Sequence, residues 1–146
     1  MLKVKINSLE DLKTFTEKLA ECLKGNELIL LKGNLASGKT TFTRYLVSSI
    51  DKEAEEEVNS PTFTVMNVYE TKKFPVYHID LYRVKDFDFT DILDTGVVIV
   101  EWAEEELLNI DNLPVMFIEI EPVGDTERIL KIKHKNADYL INCIGN

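Results

Sequence analysis

Eight consecutive residues, Gly33-Asn34-Leu35-Ala36-Ser37-Gly38-Lys39-Thr40, satisfy G-x-x-x-x-G-K-[ST] at every fixed position. With ordinary residue frequencies such a match arises by chance in well under about 1% of chains of this length. The residue types follow from the chemistry of holding phosphate. Successive backbone N–H groups must converge on anionic oxygens, so bulky side chains have to stay out of the way. The helix that follows adds its unpaired N-terminal donors and the positive end of its dipole. In this pattern Lys39 is expected at the β- and γ-phosphates and the Thr40 hydroxyl on Mg²⁺, with Thr41 at the α-phosphate.

A triphosphate with its magnesium calls for carboxylates at the ends of nearby strands. Glu101 closes the run Val97-Val98-Ile99-Val100, and Asp80 closes Val76-Tyr77-His78-Ile79. Each acid stands where a buried strand opens into the crevice that receives ligands in open α/β sheets. They are expected to divide the work, one at Mg²⁺ and the other orienting the attacking water. Ser60-Pro61-Thr62-Phe63-Thr64 lies between the phosphate-binding turn and these acids, a region where a threonine can sense the γ-phosphate. Trp102 follows Glu101 directly.

The elements that position these groups can be read from periodicity. Leu2 to Ile6 alternates as a short strand. Ser8 is expected to cap a helix with Asp11 as its capping-box partner, and Leu9, Leu12, Phe15, Leu19 and Leu23 recur at helical spacing before Gly25. Glu27 to Leu31 is a near-continuous apolar run, suited to a strand buried on both faces. A helix is expected from about Lys39 to Ile50, and the acidic stretch Asp51 to Glu57 reads as a solvated end or loop. Phe63 to Tyr69 and Phe74 to Val84 read as an antiparallel strand pair joined at Thr71-Lys72-Lys73. Asp86 to Leu93 suggests a short helix, Val97 to Val100 a second buried strand and Ala103 to Leu108 a helical turn. Val115 to Glu121 and Arg128 to His134 suggest two further strands, and Asn136 a cap for a last helix ending near Ile144. The pattern is that of an α/β fold with a mixed sheet, in a single domain over residues 1–146.

With 17 Lys and Arg against 26 Asp and Glu, the net charge is −9, a balance that argues against gripping tRNA or DNA by bulk electrostatics. No stretch approaches ~18 uncharged apolar residues, so no membrane span is expected. The N-terminus lacks a signal-peptide core, and a cytoplasmic location is expected. Cys22 and Cys143 form no C-x-x-C and read as buried reduced thiols, while His78 and His134 have no ligand spacing.

Two common classes of nucleotide enzyme fit less well. No N-K-x-D guanine-reading motif is present, and the three arginines, Arg44, Arg83 and Arg128, form no lid-like cluster. Four blocks in order, Gly33 to Thr41, Ser60 to Thr64, His78-Ile79-Asp80-Leu81-Tyr82-Arg83 and Val100-Glu101-Trp102, resemble the TsaE (YjeE) family over nearly the whole chain. The D-L-Y-R block and the E-W pair carry the resemblance more specifically than the phosphate loop does. The resemblance implies a P-loop NTPase-like three-layer fold, a mixed central sheet flanked by helices. It also implies an ATPase in which Gly33 to Thr41 bind nucleotide, Lys39 and Thr40 serve ATP and Mg²⁺, Glu101 stands at the metal and Asp80 is needed for hydrolysis. Thr62 would face the γ-phosphate and Trp102 would sit beside the site. The adenine pocket would draw on the N-terminal helix and a late strand. The implied partners are a TsaB–TsaD pair that forms threonylcarbamoyladenosine at adenosine 37 of certain tRNAs. tRNA would then be held chiefly by those partners, and hydrolysis would reset the complex. The loop departs from the family's common G-D-L-G-A-G-K-T at Asn34, which removes a carboxylate, and at Ala36, which would strain any positive φ there. A phosphotransferase with a small-molecule acceptor and a non-catalytic nucleotide-binding module are the alternative readings.

Overall fold

The structure, a computed structural model, describes residues 1–33, 38–58, 65–84 and 86–145. The readings placed on Asn34, Leu35, Ala36 and Ser37, and on Ser60 to Thr64 with Thr62, lie outside the described residues.

Among the described residues seven strands form one sheet. In chain order they are β1 (Leu2–Ile6), β2 (Leu28–Lys32), β3 (Met66–Glu70), β4 (Pro75–Asp80), β5 (Val97–Glu101), β6 (Val115–Pro122) and β7 (Arg128–Lys135). Across the sheet the order is β1-β7-β6-β2-β5-β4-β3. The central four, β6-β2-β5-β4, run parallel, and β3, β7 and β1 add antiparallel edges. The mixed sheet expected from the sequence is present, and β3 and β4 pair antiparallel, as read for that segment. Helices α1 (Leu9–Cys22), α2 (Lys39–Ile50) and α3 (Asp138–Ile144) share one apolar core with the face of Ile29, Leu31, Ile99 and Ile118. The opposite face, with Leu28, Leu30, Val98 and Val100, is covered by Phe87, Phe89, Ile92 and Leu93 and by the 3-10 helix Glu105–Asn109.

Local chemistry explains the boundaries. Ser8 Oγ accepts from Asp11 N at 3.2 Å, and Asp11 Oδ2 accepts from Asn7 N at 2.9 Å, so the capping residues satisfy two orphan donors. β2 is buried along Leu28 to Leu31 and β5 along its whole length, as continuous apolar runs demand. β4 stops at Asp80 rather than reaching Val84, because Asp80 Oδ1 accepts from Tyr82 N at 2.9 Å and turns the chain.

Several expectations are corrected. Asp86 to Leu93 is not a helix: Asp88 Oδ1 accepts from Thr90 N at 2.9 Å, and this local bond starts a turn that Asp94 ends at φ 66°. Asp51 to Glu57 is ordered as a 3-10 helix over Lys52–Glu57, started by Asp51, whose carboxylate also accepts from Lys72 N at 3.0 Å. Asn136 does not cap α3. It sits at φ 56° and donates to Leu113 O at 3.3 Å, and Ala137 occupies the cap position. Cys22 and Cys143 are not free thiols but form a disulfide between α1 and α3, with Cα atoms 6.0 Å apart. Their separation of 121 residues hid a proximity that only the packing of these two helices creates.

Candidate active site

The carboxyl ends of β2, β5 and β4 lie side by side. Register pairs Leu31 with Glu101 and Glu101 with Asp80, so the strand that enters the phosphate-binding turn adjoins the first acid, and the second acid lies one strand further. Paired residues of neighbouring strands point to the same face, here the face on which α2 packs.

The start of α2 lacks the usual side-chain cap. Its cap residue, Gly38, sits at φ 100°, in the left-handed region where a Cβ would be strained. No side chain caps the helix, and its first turn holds no acid. Both omissions are unusual for a helix start. They leave backbone donors and the positive helix end available for a ligand.

Lys39 opens α2 and is buried. Its ammonium donates to Gly33 O at 2.6 Å and lies 4.2 Å from the centre of the Trp102 ring. Burial pushes its pKa below the usual lysine range, against the opposing pull of Glu101 and Asp80. Thr40 donates its hydroxyl to Glu101, 3.1 Å from Oε1 and 3.3 Å from Oε2. These partners are 61 positions apart in sequence. Asp80 is half-buried at the end of β4. Trp102 takes φ 60°, uncommon for a bulky residue, and its indole packs at a tilt against the Tyr82 ring with ring centres 4.7 Å apart.

One residue was not singled out for the site in the sequence, and a cavity lies where the resemblance implied a pocket of the N-terminal helix and a late strand without naming its residues. His78, read as an isolated histidine, is fully buried and hydrogen-bonds through Nε2 to Glu101 Oε2. Its position two residues before Asp80 on a strand was the available signal, since residues i and i+2 share a face. A cavity of about 660 Å³ lies beside Gly38 and Thr41, bounded by Asn7, Ser8, Leu12 and Arg128. It joins the start of α1 to the start of β7, elements that share no sequence motif.

The donor set suits magnesium. Thr40 and Glu101 present hard oxygens within hydrogen-bond reach of each other. No group of three or more His, Cys, Asp or Glu that could hold a metal exists among the described residues. A site with few protein oxygens, completed by phosphate and water, is the usual magnesium arrangement, whereas zinc or calcium takes fuller protein cages.

Residues 6–130 match the family described as threonylcarbamoyl adenosine biosynthesis protein TsaE. The chain belongs to the TsaE family. The TsaE protein of Aquifex aeolicus is 40% identical over 133 residues, covering 91% of this chain and 96% of the relative. That of Bacillus subtilis is 35% identical over 149 residues, covering 97% and 91%. Both are described as tRNA threonylcarbamoyladenosine biosynthesis proteins. The crystal structure of YdiB from Bacillus subtilis superposes with a TM-score of 0.77 at 25% identity, covering 99% of this chain and 93% of that one. The P-loop three-layer architecture is thus the TsaE fold. Of the residues singled out in the sequence, the structure brings Gly33, Gly38, Lys39, Thr40, Glu101 and Trp102 together. Thr41 borders the adjoining cavity, and Asp80 is paired with Glu101 by register.

Proposed function

We propose that this chain is a magnesium-dependent ATPase that acts with a TsaB–TsaD-type complex in threonylcarbamoyladenosine modification of tRNA, in the cytoplasm. The observation that carries the reading is the Thr40–Glu101 hydrogen bond, which sets a strand-end carboxylate against the threonine of the phosphate-binding turn. Family membership supplies the pathway.

The backbone of the turn and the open start of α2 bind the phosphates, and Lys39 brings a positive charge to them. Its retention against Gly33 O and the indole of Trp102 holds the ammonium at the turn before nucleotide arrives. Thr40 and Glu101 would hold Mg²⁺, which when bound neutralises charge on the phosphate oxygens. Asp80 orients the attacking water. The water oxygen bonds to the γ-phosphorus, the bond from that phosphorus to the β–γ bridging oxygen breaks, and ADP and phosphate leave. The cavity between α1 and β7, about 660 Å³ and bordered by Gly38 and Thr41, is where the base would sit. An isolated site of this kind often lacks a complete set of transition-state contacts. Turnover in isolation is therefore expected to be slow, and partner proteins to raise it. The net charge of −9 suits a component that leaves tRNA to its partners.

Two measurements test this. Asp80→Ala and Glu101→Ala should each abolish partner-stimulated release of labelled phosphate to water; full turnover in both would overturn the catalytic assignment. Mass spectrometry of tRNA nucleosides after depletion of the protein should show loss of threonylcarbamoyladenosine. Normal levels, with no substitute ATPase, would remove the biological role. Label appearing on an acceptor instead of in phosphate would favour a phosphotransferase.

A further inference from the structure

Glu101 is held from behind as well as from the front. It is only 3% exposed, and burying an ionised carboxylate is costly unless its oxygens are paired. Thr40 meets it on the α2 side. On the sheet side, His78 Nε2 meets Oε2, and His78 Nδ1 lies 2.8 Å from the Tyr69 hydroxyl. A carboxylate can only accept, so Nε2–H donates to Glu101; Nδ1 accepts the Tyr69 proton when the ring is neutral and donates to the Tyr69 oxygen when it is charged. Both His78 and Tyr69 are almost completely buried. The three residues come from three adjacent strands, β3, β4 and β5, and share the α2 face of the sheet.

Packing alone gives no reason for this chain. Phenylalanine and leucine would fill comparable volume without desolvating a hydroxyl, an imidazole and a carboxylate. A polar chain can do what apolar packing cannot, which is to fix the direction of the carboxylate.

We propose that His78 and Tyr69 are positioning residues, whose hydrogen-bonded chain through β4 fixes the Glu101 carboxylate at Thr40 and so sets the magnesium-dependent part of nucleotide affinity. This rests on the reading that Glu101 serves the metal. Both residues reach the site through the Glu101 carboxylate, so their effect is expected in the magnesium-dependent part of the affinity.

The experiment is calorimetric titration of the intact protein with a non-hydrolysable β,γ-imido ATP analogue, in excess magnesium chloride and again in EDTA. The ratio of the two affinities is the magnesium gain. His78→Ala should lower that gain by about 10- to 100-fold, the usual effect of removing a group that orients a metal ligand. Its affinity in EDTA should stay within about twofold of wild type, since one hydrogen bond or less is at stake there. His78→Gln, whose amide nitrogen can replace Nε2 as donor to Glu101, should recover most of the gain. Tyr69→Phe removes one hydroxyl and should lower the gain by about 2- to 10-fold. If His78→Ala does not fold, Tyr69→Phe decides by the same ratio. Glu101→Gln separates the two levels of inference. If it removes the gain while folded His78→Ala or Tyr69→Phe retains the wild-type value, the positioning role is overturned and the metal reading stands. If Glu101→Gln itself keeps the full gain, both fall.

Discussion

Lys39 shows how one side chain can be prepared for an anion. Burial makes its charged form less favourable, and the Gly33 carbonyl, the Trp102 ring and two nearby acids partly compensate. Lys39→Ala should therefore cost about 3 kcal/mol of nucleotide affinity, roughly 100-fold, measured by titration calorimetry. Trp102 is the sole tryptophan of the sequence, and its ring faces the Lys39 ammonium. Nucleotide should therefore change the intrinsic fluorescence of the wild type and leave that of Lys39→Ala unchanged at the same concentrations. At this scale the sequence was informative where a motif fixes spacing, as for Gly38, Lys39 and Thr40. For His78 it offered only the shared face with Asp80 two residues on; the partner 23 positions away could not be read from spacing.

The elements meet at close tolerances where the site-bearing strands begin. A Cβ added at Gly96 would lie 2.4 Å from Pro75 O, where β4 and β5 start side by side. Gly96→Ala should cost about 1–3 kcal/mol in urea unfolding, because backbone rather than a flexible side chain must move. The turn between α1 and β2 is organised around Glu27. Its buried carboxylate accepts from Lys24 N, Gly25 N and Asn26 N at 2.7, 2.9 and 3.2 Å, and from the Tyr139 hydroxyl at 2.5 Å. Burial, and then the bond to Glu27, raises the Tyr139 pKa well above its usual 10.0. A folded-state pKa above the unfolded one means that the stabilisation is fully present below about pH 10 and is lost as pH rises from there toward the folded value. Tyr139→Phe should therefore show a shallower loss of stability above about pH 10 than wild type in urea midpoints. The sequence placed Glu27 at the head of an apolar run but could not assign it this role, since its partners lie both beside it and on α3.

Across the whole molecule, the Cys22–Cys143 bond closes a loop with a sequence separation of 121 residues. In the chain-entropy account a loop of that order restricts the unfolded chain by about 5 kcal/mol. The double variant Cys22→Ser, Cys143→Ser should lose stability of that order in urea unfolding. Reductant should destabilise the wild type by a similar amount and leave the double variant unaffected. The bond ties α3 to α1, and α1 also lines the cavity beside the phosphate-binding turn. The three α-helices therefore form a linked layer over one face of the sheet.

The sequence by itself determined the G-x-x-x-x-G-K-T motif between a buried strand and α2, the second buried strand, the acids that end β4 and β5, and the mixed character of the sheet. Each is written in local order: a motif of fixed spacing, a continuous apolar run, or an alternation with its turn. Only the tertiary structure decided that Glu101 meets Thr40, that His78 and Tyr69 stand behind that acid, that the start of α1 and the start of β7 enclose one cavity, and that two cysteines bond. These depend on strand order and helix packing, which bring together residues tens of positions apart through hydrophobic burial that is blind to the separation in sequence.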